Sequence, residues 1–513
     1  MVRGPVALHH QEIHRLMPGS HAADAPRALP NLGRSAARGA LAMAVGQIGR
    51  LAIQLGGVLI MARVLAPEHY GLFAMVTAVV SFGELLQDFG LSSAAIQARE
   101  LSHAQQSNLF WINTGIGIVL SIGVFAGAPL LAAFYHEPAV VAITCALAPT
   151  FLINSVACQF RADLTRNLRM AALSFVVVAA QASGLAAGLI LALQGAGTWA
   201  LVAQQLSFNI VQLLLLARAA QFWPGLPSRA AKTRTLLRFG GNLMATQLIN
   251  HVSRSLNTVL IGNRFGAELA GLYDRAFMLL MLPLNQIQVP ANTVALPTLS
   301  KLQHDAPRFD RFLLHGQTLL LHLLIAVFAY AAAVGDLLIG VVMGPQWLPA
   351  APLFRILTVA GVFYAAGYAS YWAFTAKGLT AEIFRYTLVT RVLMIAMMCA
   401  GLAWGVQGVT WAFTLSTALS WPLGLVWLKR VSDVPAGAMA RNVVRCVVAY
   451  SAAALVAFLA ADAVRAHSVY VQLTASAVGM LFVIGLLFCV WPRYRSDLYA
   501  IANTRTLLRN RSA

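Results

Sequence analysis

Apolar runs of twenty or more residues follow one another along almost the whole chain, parted by short polar corners. A run of about 20 such residues is long enough to cross the hydrocarbon core of a bilayer as a helix. The pattern places these helices at 39–65, 70–96, 108–134, 138–158, 171–193, 197–219, 241–262, 268–298, 312–343, 350–376, 382–403, 407–428, 441–463 and 468–491. Several neighbours meet at tight corners: "YHEP" (135–138), "QGAGT" (194–198) and "GPQWLP" (344–349), where Pro and Gly end a helix. The fold class expected is an all-α polytopic membrane protein of about 14 transmembrane helices.

One corner is written twice. "VLIMAR" (58–63) returns as "VLIGNR" (259–264), and "GLF" (71–73) as "GLY" (271–273). "TWA" recurs at 198–200 and 410–412, each time opening a span after a Gly-bearing corner. These echoes keep their order and spacing, so they divide the chain into two six-helix units. Six is even, so both units enter the bilayer from the same side, as parallel repeats about an axis along the membrane normal. The organisation expected is a disordered basic cytoplasmic arm (1–38), a first lobe (39–220), a cytoplasmic linker (221–240) and a second lobe (241–430). Two extra helices within 431–491 and a basic cytoplasmic tail (492–513) follow.

Composition sharpens this picture at one point. Only 10% of the 513 residues are charged, against about 25% in soluble domains. Mean hydropathy is +0.72, yet the net charge is +19. A basic balance can signal nucleic-acid binding, but position decides against it here. Of the 36 Lys and Arg, only Arg63, Arg264 and Arg465 fall in outer corners. Five more (Arg50, Arg254, Arg275, Arg355 and Arg391) lie within spans, and the rest collect on the side shared by both termini. That asymmetry is the positive-inside rule, with both termini cytoplasmic and no nucleic-acid partner. It also leaves every outer loop short. The first 37 residues lack the apolar core of a signal peptide; His9, His10 and His14 read as part of a solvated tail. The five cysteines show no ligand or disulfide spacing and read as reduced packing residues.

Polar residues inside the spans are the candidate chemistry, because they are costly there and face a bundle interior or a watery cavity. Gln47, Arg50 and Gln54 stand at i, i+3 and i+7 on one helical face. Gln247, Asn250 and Arg254 repeat that face in the second unit, with His251 and Asn257 beside them. Ser81, Glu84 and Asp88 form a polar face on the second span, and Asn285, Gln288 and Asn292 on the eighth. Arg50 and Arg254 read either as a cationic lining for an anionic head group or as halves of structural ion pairs with Glu84 or Asp88. Arg391 is also mid-span. Arg275 and Arg355 lie near outer ends, where snorkelling is cheap. Glu84 and Asp88 are candidates for proton or sodium-ion coupling, since low dielectric raises a carboxyl pKa. His251, His315 and His322 read as packing residues. No GxxxxGK[ST] loop, HExxH or paired CxxC occurs, so no catalytic residue, cofactor or metal site is expected, and the chain is expected not to be an enzyme.

The stretches "ARVLAPEHYGLFAM" (62–75), "QDFGLSSAAIQARELS" (87–102), "LFWIN" (109–113) and "AAFYHEP" (132–138) resemble Wzx-type polysaccharide flippases. Those flippases belong to the multidrug/oligosaccharidyl-lipid/polysaccharide (MOP) superfamily, and the nearest likeness is to its colanic-acid-exporter-like branch. "LIGNRFGAELAGLYDRAFMLLMLPLNQI" (260–287), "ALPTLSKLQ" (295–303) and "GPQWLPAAPLFRIL" (344–357) continue the likeness, which covers roughly residues 40–430. The resemblance implies a V-shaped pair of six-helix lobes with alternating access. It implies a polyprenyl-diphosphate-linked oligosaccharide as substrate, moved across the cytoplasmic (inner) membrane for exopolysaccharide, capsule or O-antigen synthesis. A diphosphate suits the arginine-bearing faces, because charge-assisted contacts to phosphate favour Arg. On that reading Arg50, Arg254 and Arg391 would draw the diphosphate, and Gln47, Gln54, Gln247 and Asn250 would contact sugar hydroxyls. Membrane lipids, a polysaccharide polymerase and chain-length or export proteins would be the partners. A multidrug/cation antiporter of the same superfamily, and an integral-membrane enzyme or assembly partner of polysaccharide synthesis, are the alternatives. The first predicts a net acidic cavity. The second requires a sizeable outer loop, which the short corners do not provide.

Overall fold

A computed structural model describes residues 32–88, 102–228 and 234–502, and all regular structure among them is helical. Helix α1 (Leu32–Val64) and α2 (Pro67–Asp88) meet at the two-residue corner Leu65–Ala66, with Pro67 at the start of α2, where its missing N–H costs nothing. After α3 (His103–Tyr135), α4 (Ala139–Leu147) and α5 (Pro149–Arg166) together make one crossing, stepped at Ala148. Helices α6 (Met170–Leu193) and α7 (Thr198–Ala219) complete the first repeat. The second opens with α8 (Arg234–Lys301), two helices joined at Gly266, where a φ of 84° breaks the helical run. It continues through α9 (Ala306–Ala333), α10 (Gly335–Val342), a 3-10 turn (Pro345–Ala350), α11 (Ala351–Ala376), α12 (Thr380–Gly401) and α13 (Gly405–Val431). The chain then adds α14 (Ala436–Ala463), α15 (Val469–Val490) and α16 (Pro492–Ala502).

Within the described residues the expected stretches fall on helical segments, with differences of extent. Helix α1 begins at Leu32, inside the expected arm, because the Ala-rich run after Pro30 favours helix. The linker is shorter than expected: α8 starts at Arg234, and residues up to 228 are tied to the start of α3. There Asn108 exchanges two hydrogen bonds with the Ser228 backbone (2.7 and 2.8 Å), and the Trp111 indole donates to the Gly225 carbonyl. The single stretch expected over 312–343 is broken at Val334, which separates α9 from α10. The tail folds back as α16. The expected arm up to residue 31, and the segments 89–101 and 503–513, lie outside the described residues. Nine helical stretches among the described residues are long and apolar enough to cross a membrane, one of them, Thr380–Val431, holding both α12 and α13. Helices α1, α2 and α8, on which the repeated polar faces lie, fall outside that set.

Packing follows the logic of the bilayer, where small residues let backbones approach. Ala180, Gly184, Gly188 and Ala192 make a buried four-residue ridge on α6. A methyl added at Gly184 would stand 2.7 Å from the Gln204 carbonyl oxygen on α7. Ala449, Ala453, Ala457 and Ala461 repeat the buried spacing on α14, and on the adjoining face Gly479 of α15 packs on Val456 and Ala460. All five cysteines are free.

Candidate functional site

The repeated corner is where the two halves meet, and the sequence of each half is answered by the other. Gly71 in α2 lies so close to α8 that an added Cβ would fall 1.6 Å from the Ala267 carbonyl oxygen. Gly271 in α8 returns the contact, its added Cβ falling 2.0 Å from the Pro67 carbonyl oxygen. Gly71 and Gly271, like Pro67 and Ala267, hold equivalent places in the two repeats. A contact in which i meets j and j meets i is the signature of two-fold packing. No side chain can stand between these backbones.

Around this crossing, helix ends of one half are capped by side chains of the other. A helix leaves its last four carbonyls without intrahelical donors, and in a membrane interior such groups must find partners in the protein. The Ala62 carbonyl near the end of α1 accepts from Trp347 Nε1 (2.7 Å) and Gln346 Nε2 (2.6 Å). The Phe134 carbonyl at the end of α3 accepts from Asn263. In the opposite sense, Arg63 donates to the Val341 carbonyl at the end of α10 (2.7 Å). Trp347 is fully buried and meets Tyr70 edge-on at 5.3 Å between ring centroids. Arg275 lies over the Tyr70 ring, 4.5 Å from its centroid, and pairs with Asp274 (2.6 Å). Replacing Trp347 by Phe keeps the packing and removes the indole donor. It should cost about 1 kcal/mol, the net worth of one hydrogen bond, read as a lowered melting temperature in detergent; an unchanged melt would show that Gln346 alone satisfies Ala62.

Away from the corner, α1 presents the first of the expected polar faces. Gln47 and Arg50 are exposed and Gln54 is half-buried. The glycines on the adjoining side, Gly49 and Gly57, pack on Val178 and Leu185 of α6. Arg50 stands 14 residues before the end of α1, about 21 Å along the helix at 1.5 Å per residue. It has no carboxylate partner among the described residues. A guanidinium at that depth needs a carboxylate, water or another anion beside it. Arg391 is half-buried in α12, with the Met394 sulfur 3.7 Å from its Nη1. Glu84 and Asp88 lie in α2, and Gln247, Asn250 and Arg254 in the first segment of α8; their side chains lie outside the described residues, as does that of His251.

Several other polar candidates turn out to hold helices together. Asn257 is buried and donates to the Tyr273 hydroxyl (2.7 Å). Asn292 accepts from the Trp372 indole (2.7 Å) and Gln288 from the Tyr368 hydroxyl (3.3 Å), both on α11, while Asn285 is exposed. Arg355 pairs with Asp336 (2.8 Å), so both near-surface arginines, Arg275 and Arg355, are ion-paired. His322 is more than a packing residue. Its Nδ1 lies 3.0 Å from the Tyr450 hydroxyl, and Nε2 lies 3.6 Å from Asp497, which also takes Arg445 at 2.7 Å. Nothing in the sequence pattern pointed to Gln346, Trp347 or Asp497, since each partner is far away along the chain.

Two parallel six-helix repeats, reciprocally closed at one end and exposing a cationic polar face further along, define a helical membrane transporter. The chain belongs to the polysaccharide biosynthesis protein family, whose pattern it matches over residues 60–352. It is 25% identical over 368 residues to the lipopolysaccharide biosynthesis protein WzxC of Escherichia coli (strain K12), covering 69% of this chain and 73% of that one. Its fold is that of the lipid II flippase MurJ in an inward closed conformation, with a TM-score of 0.66 at 13% identity over 87% of this chain and 98% of that one. An inward-facing multidrug resistance MATE family transporter of the MOP superfamily matches with a TM-score of 0.58 at 14% identity, over 76% of this chain and 96% of its own. The resemblance carried by the corner motifs therefore holds.

Proposed function

We propose that the chain is a flippase that moves a polyprenyl-diphosphate-linked oligosaccharide across the cytoplasmic membrane by alternating access. It supplies exopolysaccharide, capsule or O-antigen synthesis, and acts without catalytic chemistry of its own. The observation that carries this reading is the match to the polysaccharide biosynthesis protein family, and Arg50 fits it: an exposed cation on α1, with no carboxylate partner among the described residues, flanked by Gln47 and Gln54. With Arg254 it gives the diphosphate a fork of donors from each lobe, and Arg391 adds a third charge. The amides Gln47, Gln54, Gln247 and Asn250 offer donors and acceptors to sugar hydroxyls, whose net desolvation they offset. Glu84 and Asp88 are the groups through which a proton or sodium ion would drive the cycle. Both termini face the cytoplasm, which puts the Gly71–Gly271 crossing at the outer surface and gives an inward-facing state. Polymerase and export proteins receive the flipped unit.

Loss of the chain should leave the lipid-linked unit on the inner leaflet, beyond reach of an impermeant sugar-oxidising probe, and a plasmid copy should restore labelling. Normal labelling in the deleted strain would refute the transport reading. Polymerisation or sugar transfer by the purified chain would favour the enzyme alternative instead.

A further inference from the structure

The short helix α16 has no place in the two repeats, yet it is bolted firmly to the bundle. Tyr494 is fully buried and stacks on Trp491, with its hydroxyl 3.3 Å from that of Tyr450 on α14. Asp497, one turn on, holds Arg445 of α14 at 2.7 Å. These two ties fix the neighbouring Arg493 over the first turns of α14. There it lines an open cavity of about 480 Å³ with Ala438, Arg441, Asn442 and Arg445. Arg441 and Arg445 are four residues apart on one face of α14, so both reach the same space.

The charge in this cavity is unbalanced. Three guanidiniums less the one Asp497 carboxylate leave a surplus of 3 − 1 = +2. Arg441 and Arg493 have no carboxylate partner among the described residues, and the buried Nε of Arg445 has no acceptor. Guanidiniums converging on one space match phosphate oxygens better than a single carboxylate. The surroundings say what kind of phosphate. Val444 and Val448, one and two turns beyond Arg441 on α14, are 56% and 55% exposed, and Leu486 and Val490 near the end of α15 are 50% and 70% exposed. Exposed apolar side chains thus stand on the two helices that flank the cationic cavity, as acyl or prenyl chains would require. Basic pockets between helices at a cytoplasmic membrane surface bind anionic lipid head groups.

We propose that the cavity between α14 and α16 binds a lipid whose head group carries two phosphate charges. A bis-phosphodiester phospholipid and a polyprenyl diphosphate share that chemistry. The site is separate from the Arg50 face and does not depend on the transport reading. Arg445, held by Asp497 and by Asn442 Oδ1 (3.0 Å), sets the floor of the cavity, and Arg441 and Arg493 supply the free charge.

The test uses the full chain in nanodiscs of neutral phosphatidylcholine. Cardiolipin, undecaprenyl diphosphate, phosphatidylglycerol and inorganic diphosphate are titrated in separate arms and followed by native mass spectrometry. Saturable binding of cardiolipin or undecaprenyl diphosphate, tighter than phosphatidylglycerol, is expected, and whichever of the two binds names the source. Arg441→Gln/Arg493→Gln should weaken it about a hundredfold, roughly tenfold for each lost charged donor, with an unchanged melting temperature because the Arg445–Asp497 and Tyr494–Tyr450 ties remain. Arg495→Gln, an exposed charge on the same helix outside the cavity, should leave binding unchanged. Equal loss in Arg495→Gln would reduce the effect to surface charge and overturn the site. Inorganic diphosphate binding as tightly as the lipids would overturn the lipid assignment; retention of cardiolipin binding in the double variant, or of undecaprenyl diphosphate binding when the double variant also carries Arg50→Ala/Arg254→Ala, would overturn both.

Discussion

Replacing Gly71 or Gly271 with even Ala should open the end of the protein at which the two repeats cross. The added methyl at Gly71 would fall 1.6 Å from a backbone oxygen, and backbone has no rotamer with which to give way. Helices α2 and α8 must therefore part, and the capping bonds from Trp347, Gln346 and Asn263 stretch with them. Overpacking of this kind costs about 1–3 kcal/mol, enough to raise the open population roughly ten- to a hundredfold, because 1.4 kcal/mol is a factor of ten. Leu65, 2% exposed at the corner, is the reporter. In a cysteine-free chain carrying Leu65→Cys, an impermeant maleimide should react at least tenfold faster after Gly71→Ala or Gly271→Ala. An unchanged rate in both variants would mean that the crossing does not close that end. Gly266→Ala is the contrasting change, since its φ of 84° strains any L residue although nothing crowds the position. It should destabilise the chain without selectively exposing Leu65.

The second large effect concerns the polar faces. Arg50→Ala/Arg254→Ala should lower delivery of the lipid-linked unit to the outer leaflet by about a hundredfold or more, each arginine contributing on the order of tenfold through charge-assisted hydrogen bonds. Arg50 is exposed and has no carboxylate partner among the described residues, so its loss should leave the melting temperature unchanged. Arg50→Lys should recover only part of the activity, keeping the charge and losing the planar fork. Full delivery by the double variant would remove these residues from the substrate path. A lowered melting temperature with proportionate loss of delivery would instead favour the ion-pair reading.

Most of the helices and the repeat were legible because the signals are local. A run of apolar residues announces a crossing wherever it goes, and Pro67, Gly197 and Gly344 mark corners by their own backbone preferences. The corner at Gly266 was legible for the same reason, and its tightness shows in the count. Arg63 to Gly71 spans one residue more than Arg264 to Gly271, and the first corner accordingly has two non-helical residues where the second has one. What the corners do was not legible. Gly71 reads as a turn former in sequence, whereas its packing role comes from Ala267, almost 200 residues away. The same distance hides the Ala62–Trp347 bond. Burial also decided between amides that look alike in sequence: Asn257, Gln288 and Asn292 went to aromatic partners, and Gln47 stayed exposed. His322 read as packing because its neighbour Asp497 lies in what looked like a plain basic tail.

The reciprocal crossing also constrains how such a chain can change over generations. A duplicated gene usually frees its two copies to drift apart, and much of this sequence has done so. At the crossing, each copy is instead the surface on which the other is tested. Enlarging residue 71 is felt at 267, and enlarging 271 is felt at 67. No side chain at 267 or 67 can make room, because the contact is with backbone, so across relatives small residues should persist at 71 and 271 while the polar faces diversify with the glycan carried.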